Sequence, residues 1–262
     1  MTWYLDTALV AGGVGLVSGA FVPRLIARLP EPDEDDDTLT AAANEAEFAR
    51  PVDAPKELYV DVAALPGLRW KAALASAVAA GLIGGRTGWH PALLFLLYLV
   101  PVCVALSVVD WRTRYLPTRL IAPSYVVVAA LAVLASLLTS DWTSDWARLR
   151  LAAVGWVSAF LFFALLWVLP GGMAYGDVRL AGVLGMALGW LGLAQLALGL
   201  YTGFVLGGVA GLVLSRLKVF HHRHSPFGPH MVIGALLGVV IPVQLVAAYG
   251  WVVDGMVSIV VH

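Results

Sequence analysis

The chain has 262 residues, of which 60% are hydrophobic and only 13% are charged. Soluble domains carry about 25% charged residues, so this composition excludes an ordinary soluble protein and indicates a membrane protein. The formal net charge of −1 averages the two sides of a membrane and identifies no partner.

Candidate membrane helices follow one another along the chain. A crossing helix needs roughly 20 predominantly apolar residues, and eight segments meet or approach that length. They are 7–23, 70–86, 90–109, 120–140, 149–169, 178–190, 192–215 and 229–250. The uncharged run 180–215 is too long for one crossing, so we predict a tight hairpin at Gly189-Trp190-Leu191-Gly192. The sequence therefore predicts an all-α, polytopic integral membrane helix bundle with about eight transmembrane helices.

Basic residues are distributed unevenly around these segments, and they orient the bundle because Lys and Arg concentrate on the cytoplasmic side. No Lys or Arg precedes the first segment, whereas Arg24 and Arg28 follow it. This polarity places 13 of the 16 Lys and Arg residues inside, and only Arg86, Arg148 and Arg150 outside. Both chain termini are then expected outside.

Residues 30–68 form a long polar stretch on the predicted cytoplasmic side. They hold 11 of the 17 acidic residues. High charge with few apolar residues predicts a largely disordered loop, which either attracts a basic substrate or is only a solvated linker. The expected organisation is a first transmembrane helix at 1–29, this acidic loop at 30–68 and a membrane domain at 69–262.

Two aspartates lie at the rims of long apolar runs. Asp110 ends the uncharged stretch 87–109, and Asp177 lies between the uncharged stretches 151–176 and 180–215. An ionised carboxylate near hydrocarbon is costly, which makes each of them a functional candidate. Two crossings separate them, so both are expected at the same, cytoplasmic boundary. The pair suggests an aspartyl-type hydrolytic site; alternatively, each aspartate only marks the water-facing end of a helix.

Residues near the two aspartates admit two interpretations each. Gly172 and Gly176 either let the backbone approach a substrate or give flexibility at a helix start. Arg179 either lowers the pKa of Asp177 or anchors to lipid phosphates, and we favour the anchor. Pro117 is expected to set the start of the following helix.

The histidines His221, His222, His224 and His230 are irregularly spaced among basic residues, which favours a cationic loop over a metal site.

Glycines recur every four residues in several of the predicted helices. Gly199, Gly203, Gly207 and Gly211 form one such stripe, and Gly185 with Gly189 and Gly234 with Gly238 repeat the spacing. Small residues at this spacing allow close helix contact in lipid, which predicts a compact bundle. The single cysteine, Cys103, lies within an apolar span and is interpreted as a packed core residue.

Four blocks of the sequence, taken together, resemble one known family. They are GLVSGAFVPRLIARLP (15–30), DWRTRYLPTRL (110–120), GGMAYGDVRLAG (171–182) and SPFGPHMVIGALLG (225–238). In this order they resemble the Gly-rich first helix, the two aspartate blocks and the Pro-Phe-Gly-Pro start of the last helix of the type IV prepilin peptidases.

The resemblance implies a membrane aspartic endopeptidase that removes the basic leader from type IV prepilin or pseudopilin precursors. The expected location is the bacterial cytoplasmic (inner) membrane, with the site facing the cytoplasm. The expected partners are the precursors and the lipid bilayer, without nucleic acid, metal or cofactor. The implied catalytic pair is Asp110 and Asp177, within a peptidase domain at 69–262. The site-shaping residues implied around it are Gly172, Tyr175, Gly176, Arg179, Pro117, Phe227, Gly228 and Pro229.

The sequence departs from the family pattern in two places. Ala174 stands where the family usually has the first glycine of Gly-x-Gly-Asp, so the backbone is expected to take a negative φ there. The segment 31–68 contains no cysteine, whereas many members carry Cys-x-x-Cys pairs and an N-methyltransferase activity. The alternative function is that of a non-catalytic membrane protein, a transporter or pilus-assembly partner, with a degenerate peptidase fold.

Overall fold

The computed structural model describes residues 3–31, 57–139, 142–169, 173–216 and 226–241. Within these ranges all regular secondary structure is helical, which confirms the all-α prediction. The helices are α1 Leu5–Gly19, α2 Val22–Ala27, α3 Tyr59–Ala63, α4 Leu68–Thr87, α5 Leu93–Thr113, α6 Thr118–Thr139, α7 Trp142–Val168, α8 Tyr175–Leu191, α9 Leu193–Arg216 and α10 Gly228–Val240.

The helices have the length and surface of a membrane protein. Four segments are long and apolar enough to cross a bilayer: Leu5–Ala27 (α1 with α2), α5, α6 and the Trp146–Val168 part of α7. Shorter apolar helices lie at Leu193–Val209 and in α10. Large apolar side chains face outward, among them Leu9 at 77% and Val126 at 72% exposure. A soluble protein of this size would not expose so many, so the bundle is a membrane helix bundle.

Each of the eight predicted crossings overlaps a helix of the structure. The segment 70–86 corresponds to α4, which packs along α1. The segment 178–190 corresponds to α8, and the described part of 229–250 is α10. The rest of that last segment, 242–250, lies outside the described residues.

A single residue separates α8 from α9. Gly192 has a φ of 144°, a conformation that residues with a side chain rarely adopt, and its N–H donates to the Leu188 carbonyl at 3.0 Å. The helix therefore stops after Leu191 and the next one starts at Leu193. This confirms the predicted break within the run 180–215.

Three helix ends meet at one end of the bundle, which we call the aspartate end. Asp110 lies in the last turn of α5, Asp177 in the first turn of α8, and Gly228 begins α10. At the opposite end, the Trp89 indole donates to the Asp6 carboxylate at 2.7 Å, and the Arg148 guanidinium lies 4.9 Å from the Trp190 ring. The two aspartates thus share one end, in agreement with an even number of crossings between them.

The segment 30–68 is described only at its two ends. Residues 59–63 form α3, whose Tyr59 is 2% exposed and whose Val62 is fully buried against the bundle. The Glu31 carboxylate accepts a hydrogen bond from the Tyr59 N–H at 2.7 Å. This packed helix is not what the charge-rich composition of the segment predicts. Residues 32–56, where most of the predicted disorder falls, lie outside the described part of the chain.

Glycines bring neighbouring helices into backbone contact. At the crossing of α7 and α8, a Cβ added to Gly155 or to Gly185 would overlap the carbonyl oxygen of the other. A Cβ added to Gly234 of α10 would overlap the backbone of Gly203 in α9. These contacts agree with close packing through Gly185, Gly203 and Gly234, which the four-residue spacing predicts.

Gly185→Ala is therefore expected to destabilise the bundle. The added methyl group overlaps backbone, which cannot rotate away, so we expect a loss of about 1–3 kcal/mol. Thermal unfolding of the purified protein in detergent measures this. Gly13→Ala is the matched control, because nothing lies within 4 Å of a Cβ there. Equal melting temperatures for the two variants would contradict the close crossing of α7 and α8.

Candidate active site

Asp110 is buried at the end of α5, with an exposed fraction of 5%. The helix ends because Arg114 takes a left-handed conformation with a φ of 54°, and its N–H donates to the Asp110 carbonyl at 2.8 Å. The chain then reaches Pro117, and α6 begins at the next residue, Thr118. Pro117 thus precedes the helix start as expected, and Asp110 faces the bundle interior rather than water.

Asp177 is the third residue of α8 and is also 5% exposed. Ala174 precedes the helix in an extended conformation with a φ of −68°, so the negative φ expected for this alanine is confirmed. The Asp177 N–H donates to the Ala174 carbonyl at 3.0 Å. Asp110 lies in the last turn of its helix and Asp177 in the first turn of its own, yet both are buried. Their burial does not fit the interpretation that each aspartate only marks the water-facing end of a helix.

The start of α10 contacts Asp110 directly. The Gly228 N–H donates to Oδ2 of Asp110 at 2.9 Å. A Cβ added to Gly228 would lie 2.8 Å from the same oxygen, so only glycine allows this approach. A helix N-terminus offers free N–H groups and a partial positive charge, and here it stabilises a carboxylate that belongs to another helix.

The two carboxylates lie close enough for the charge of Asp110 to act on Asp177. The positive charge of Arg114 also acts on Asp110. Like charges in an apolar setting repel strongly, and such a pair is most stable when its members share one proton. This arrangement can offer one carboxylate as a base and one carboxylic acid as a proton donor.

Gly176 allows α8 to approach the turn that follows Asp110. A Cβ added to Gly176 would lie 2.8 Å from Cβ of Leu116, which is buried. Leu116 therefore packs against the first turn of α8, and this contact helps fix the spacing of the two aspartates. The sequence suggests substrate approach or flexibility at a helix start as the role of Gly176. The structure favours neither of these and shows a third role, the close packing of α8 against Leu116.

Arg179 and Tyr175 brace the start of α8. The Arg179 guanidinium donates to the Thr118 hydroxyl and lies 4.3 Å from the centre of the Tyr175 ring. Tyr175 also packs against Trp167, with ring centres 5.1 Å apart. The Tyr125 hydroxyl donates to the Arg179 carbonyl at 2.6 Å. Arg179 therefore contacts protein groups of α6 and α8, and the interpretation as a lipid anchor stays a prediction.

Phe227 and Pro229 position the start of α10. Phe227 fills the space that Gly207 leaves on α9, and its ring centre lies 6.2 Å from that of Phe163. Pro229 occupies the first turn of α10, where its missing N–H costs nothing. These residues therefore act on the site through Gly228.

Gly172 lies outside the described residues, as do His221, His222 and His224. His230 is half-buried in α10, with Nδ1 2.9 Å from the Pro226 carbonyl oxygen. In the ranges that the structure describes, no group of three or more His, Cys, Asp or Glu side chains could hold a metal ion.

Several contacts near the site were not predicted from the sequence. Leu116, Thr118 and Tyr125 contact the first turns of α8 over long sequence separations. Arg112, two residues after Asp110, forms an ion pair with Glu57, which lies just before α3. A single sequence does not predict these contacts, because it does not distinguish these residues from other leucine, threonine, tyrosine or arginine residues of the chain.

Comparison with known proteins agrees with the resemblance drawn from the four blocks. Residues 97–215 match the sequence model of a family described as "Type IV leader peptidase family". This range includes both Asp110 and Asp177. No solved structure matches the chain.

Similar curated proteins carry the name "Prepilin leader peptidase/N-methyltransferase". The protein from Burkholderia pseudomallei (strain 1026b) is 33% identical over 143 residues, which are 52% of this chain and 42% of that protein. The protein from Stutzerimonas stutzeri is 28% identical over 182 residues, or 66% of this chain and 59% of that protein. The protein from Dickeya chrysanthemi is 30% identical over 168 residues, which are 59% of this chain and 54% of that protein.

The chain thus spans about half the length of the curated relatives that it matches. The part that matches the family model carries both aspartates, which the structure places together at one end of an all-α membrane bundle. Residues 97–215 of this chain are therefore similar to the type IV leader peptidase family.

Proposed function

We propose that the protein is a membrane-embedded aspartic endopeptidase that cleaves the leader from type IV prepilin or pseudopilin precursors. The observation that carries the proposal is the pair of buried carboxylates, Asp110 and Asp177, where three helix ends meet. The family match and the names of the relatives supply the substrate class.

The proposed mechanism needs one ionised and one protonated carboxyl group. The ionised Asp takes a proton from water while the water oxygen attacks the carbonyl carbon of the peptide bond. The protonated Asp gives its proton to the carbonyl oxygen, which produces a neutral diol. The Asp that took the proton from water then gives it to the amide nitrogen, and the C–N bond breaks. A diol hydroxyl returns its proton to the other Asp as the carboxylic acid product forms, so the pair again shares one proton. We assign neither role to a particular aspartate.

The position of the pair suits a substrate that is partly in the bilayer. The apolar helix of a precursor can stay in the membrane while its basic leader lies in water, so the bond between them reaches the membrane boundary. The excess of Lys and Arg at this end of the bundle supports a cytoplasmic orientation in the inner membrane. We restrict the proposal to peptide cleavage and do not extend it to methyl transfer, because the alignments cover only part of each relative.

Replacing either aspartate by asparagine is expected to abolish cleavage. Asp110→Asn and Asp177→Asn remove the shared proton, so kcat should fall at least about 100-fold. The assay incubates purified protein with a precursor that has a basic leader, and follows product by mass spectrometry. Melting temperatures should stay equal or rise, because the repulsion between two buried carboxylates is removed. Near-normal cleavage by either variant would refute the two-aspartate mechanism, and a failure of the unmodified protein to cleave would favour the transporter or assembly-partner alternative.

Gly228→Ala is expected to lower kcat with little effect on KM. The added Cβ would displace the Asp110 carboxyl group, and a shift of about 1 Å can cost about 100-fold in rate. Gly208→Ala is the control, because a Cβ there meets nothing within 4 Å. The two variants are compared in the same cleavage assay. Unchanged kcat for Gly228→Ala would show that the start of α10 does not position Asp110.

Metal chelators and serine reagents are expected to leave cleavage unchanged. The proposed chemistry uses two carboxylates and water, so it needs neither a metal ion nor a nucleophilic serine. Cys103 takes no part in it: this cysteine is buried in α5, seven residues before Asp110. The measurement is the initial rate after preincubation with each reagent. Loss of activity with a chelator, restored by added metal, would instead point to a metal site.

A further inference from the structure

An apolar groove runs along the bundle between α4, α5, α8 and α10, below the aspartate end. Its walls include Ile83, Leu96, Cys103, Leu184, Val232 and Val239. All the residues that line it are apolar, and it holds about 530 Å³ of empty space, part of it open to the outside. The residues that the structure describes leave this space unfilled, and the proposed chemistry does not use it.

The groove lies on the same helices as the candidate active site, because three of its four helices carry the groups that meet there. Val232 lies four residues beyond Gly228 on α10, a rise of about 6 Å. Cys103 and Leu184 each lie seven residues from an aspartate, Asp110 and Asp177 respectively, a rise of about 10 Å. Leu96 lies fourteen residues from Asp110, a rise of about 21 Å. The groove therefore extends over about 15 Å of depth, directly beneath the two carboxylates.

We propose that this groove binds the apolar helix that follows the leader in the precursor. The inference rests on the proposed function and adds the place where the membrane part of the substrate lies. A peptide bond held at Asp110 and Asp177 places the next residues of the substrate against α5, α8 and α10. About ten helical residues span the depth of the groove at 1.5 Å each. Small-residue and apolar contacts are the means by which helices associate in lipid.

The position of Cys103 makes the proposal directly testable. It is the single cysteine of the chain and it lines the groove. At a rise of about 10 Å below the carboxylates, it should face a substrate residue about seven positions after the cleaved bond. Because a helix presents the same face every three to four residues, neighbouring contacts should recur with that period.

The experiment uses the Asp177→Asn protein, so that the precursor stays uncut, and a series of precursors with one cysteine at successive positions after the cleavage site. Oxidation forms a disulfide only where the two Cα atoms come within about 7 Å. We expect cross-linking to Cys103 to be strongest about seven residues after the cleavage site, with a helical period. The control carries Cys103→Ala with Val126→Cys, a position at a similar depth on α6 that faces lipid at 72% exposure.

A second measurement uses a variant that narrows the groove. Ala187→Leu adds bulk at a groove-lining position in α8, and we expect KM to rise at least about five-fold with kcat nearly unchanged. Val126→Leu is its control, and melting temperatures show whether both proteins are folded. If Ala187→Leu unfolds, the cross-linking series decides alone.

The outcomes separate this inference from the proposed function. Cleavage by the unmodified protein, with cross-linking no stronger at Cys103 than at Val126→Cys, would overturn the groove proposal and leave the peptidase proposal intact. The same result is expected if a lipid chain or residues 242–262 of this chain fill the groove. A protein that cleaves no precursor would overturn both proposals.

Discussion

The arrangement depends on two carboxylates that are buried together where an unpaired charge is costly. Asp110 and Asp177 belong to helices whose ends must converge from distant parts of the chain. Their burial is tolerated because the Gly228 N–H, at the start of a third helix, donates to Asp110, and because a neighbouring pair can share a proton. An apolar environment strengthens both effects, since electrostatic interactions grow as the local dielectric constant falls.

Close backbone packing makes this convergence possible. Gly176 lets α8 approach Leu116, and Gly228 lets α10 approach Asp110 itself. Farther along the bundle, Gly155 and Gly185 hold α7 against α8 at the distance of backbone contact. A methyl group at any of these positions would separate helices that carry or brace the aspartates. Glycine therefore contributes to the site through packing, although it offers no chemical group.

The sequence predicted the helices and the common end of the aspartates better than the contacts between them. Apolar runs and the Gly192 break are local properties, and an even number of crossings fixes the shared end. The bond from Gly228 to Asp110 joins residues 118 positions apart, which no local pattern reveals. Composition likewise does not predict the packed helix α3, because its buried residues Tyr59 and Val62 are a small apolar minority within an acidic segment. The contacts of Arg179 with Thr118 and Tyr175 could not be predicted for a related reason, because these residues become neighbours only in the folded bundle.

The proposal that two coupled carboxylates perform the cleavage is tested most directly by the pH dependence of kcat/KM. Cleavage of a purified precursor should follow a bell-shaped profile, because activity requires one ionised and one protonated member of the pair. Activity is lost at low pH when both are protonated and at high pH when both are ionised. A profile with a single limb, rising to a plateau at high pH, would contradict the account.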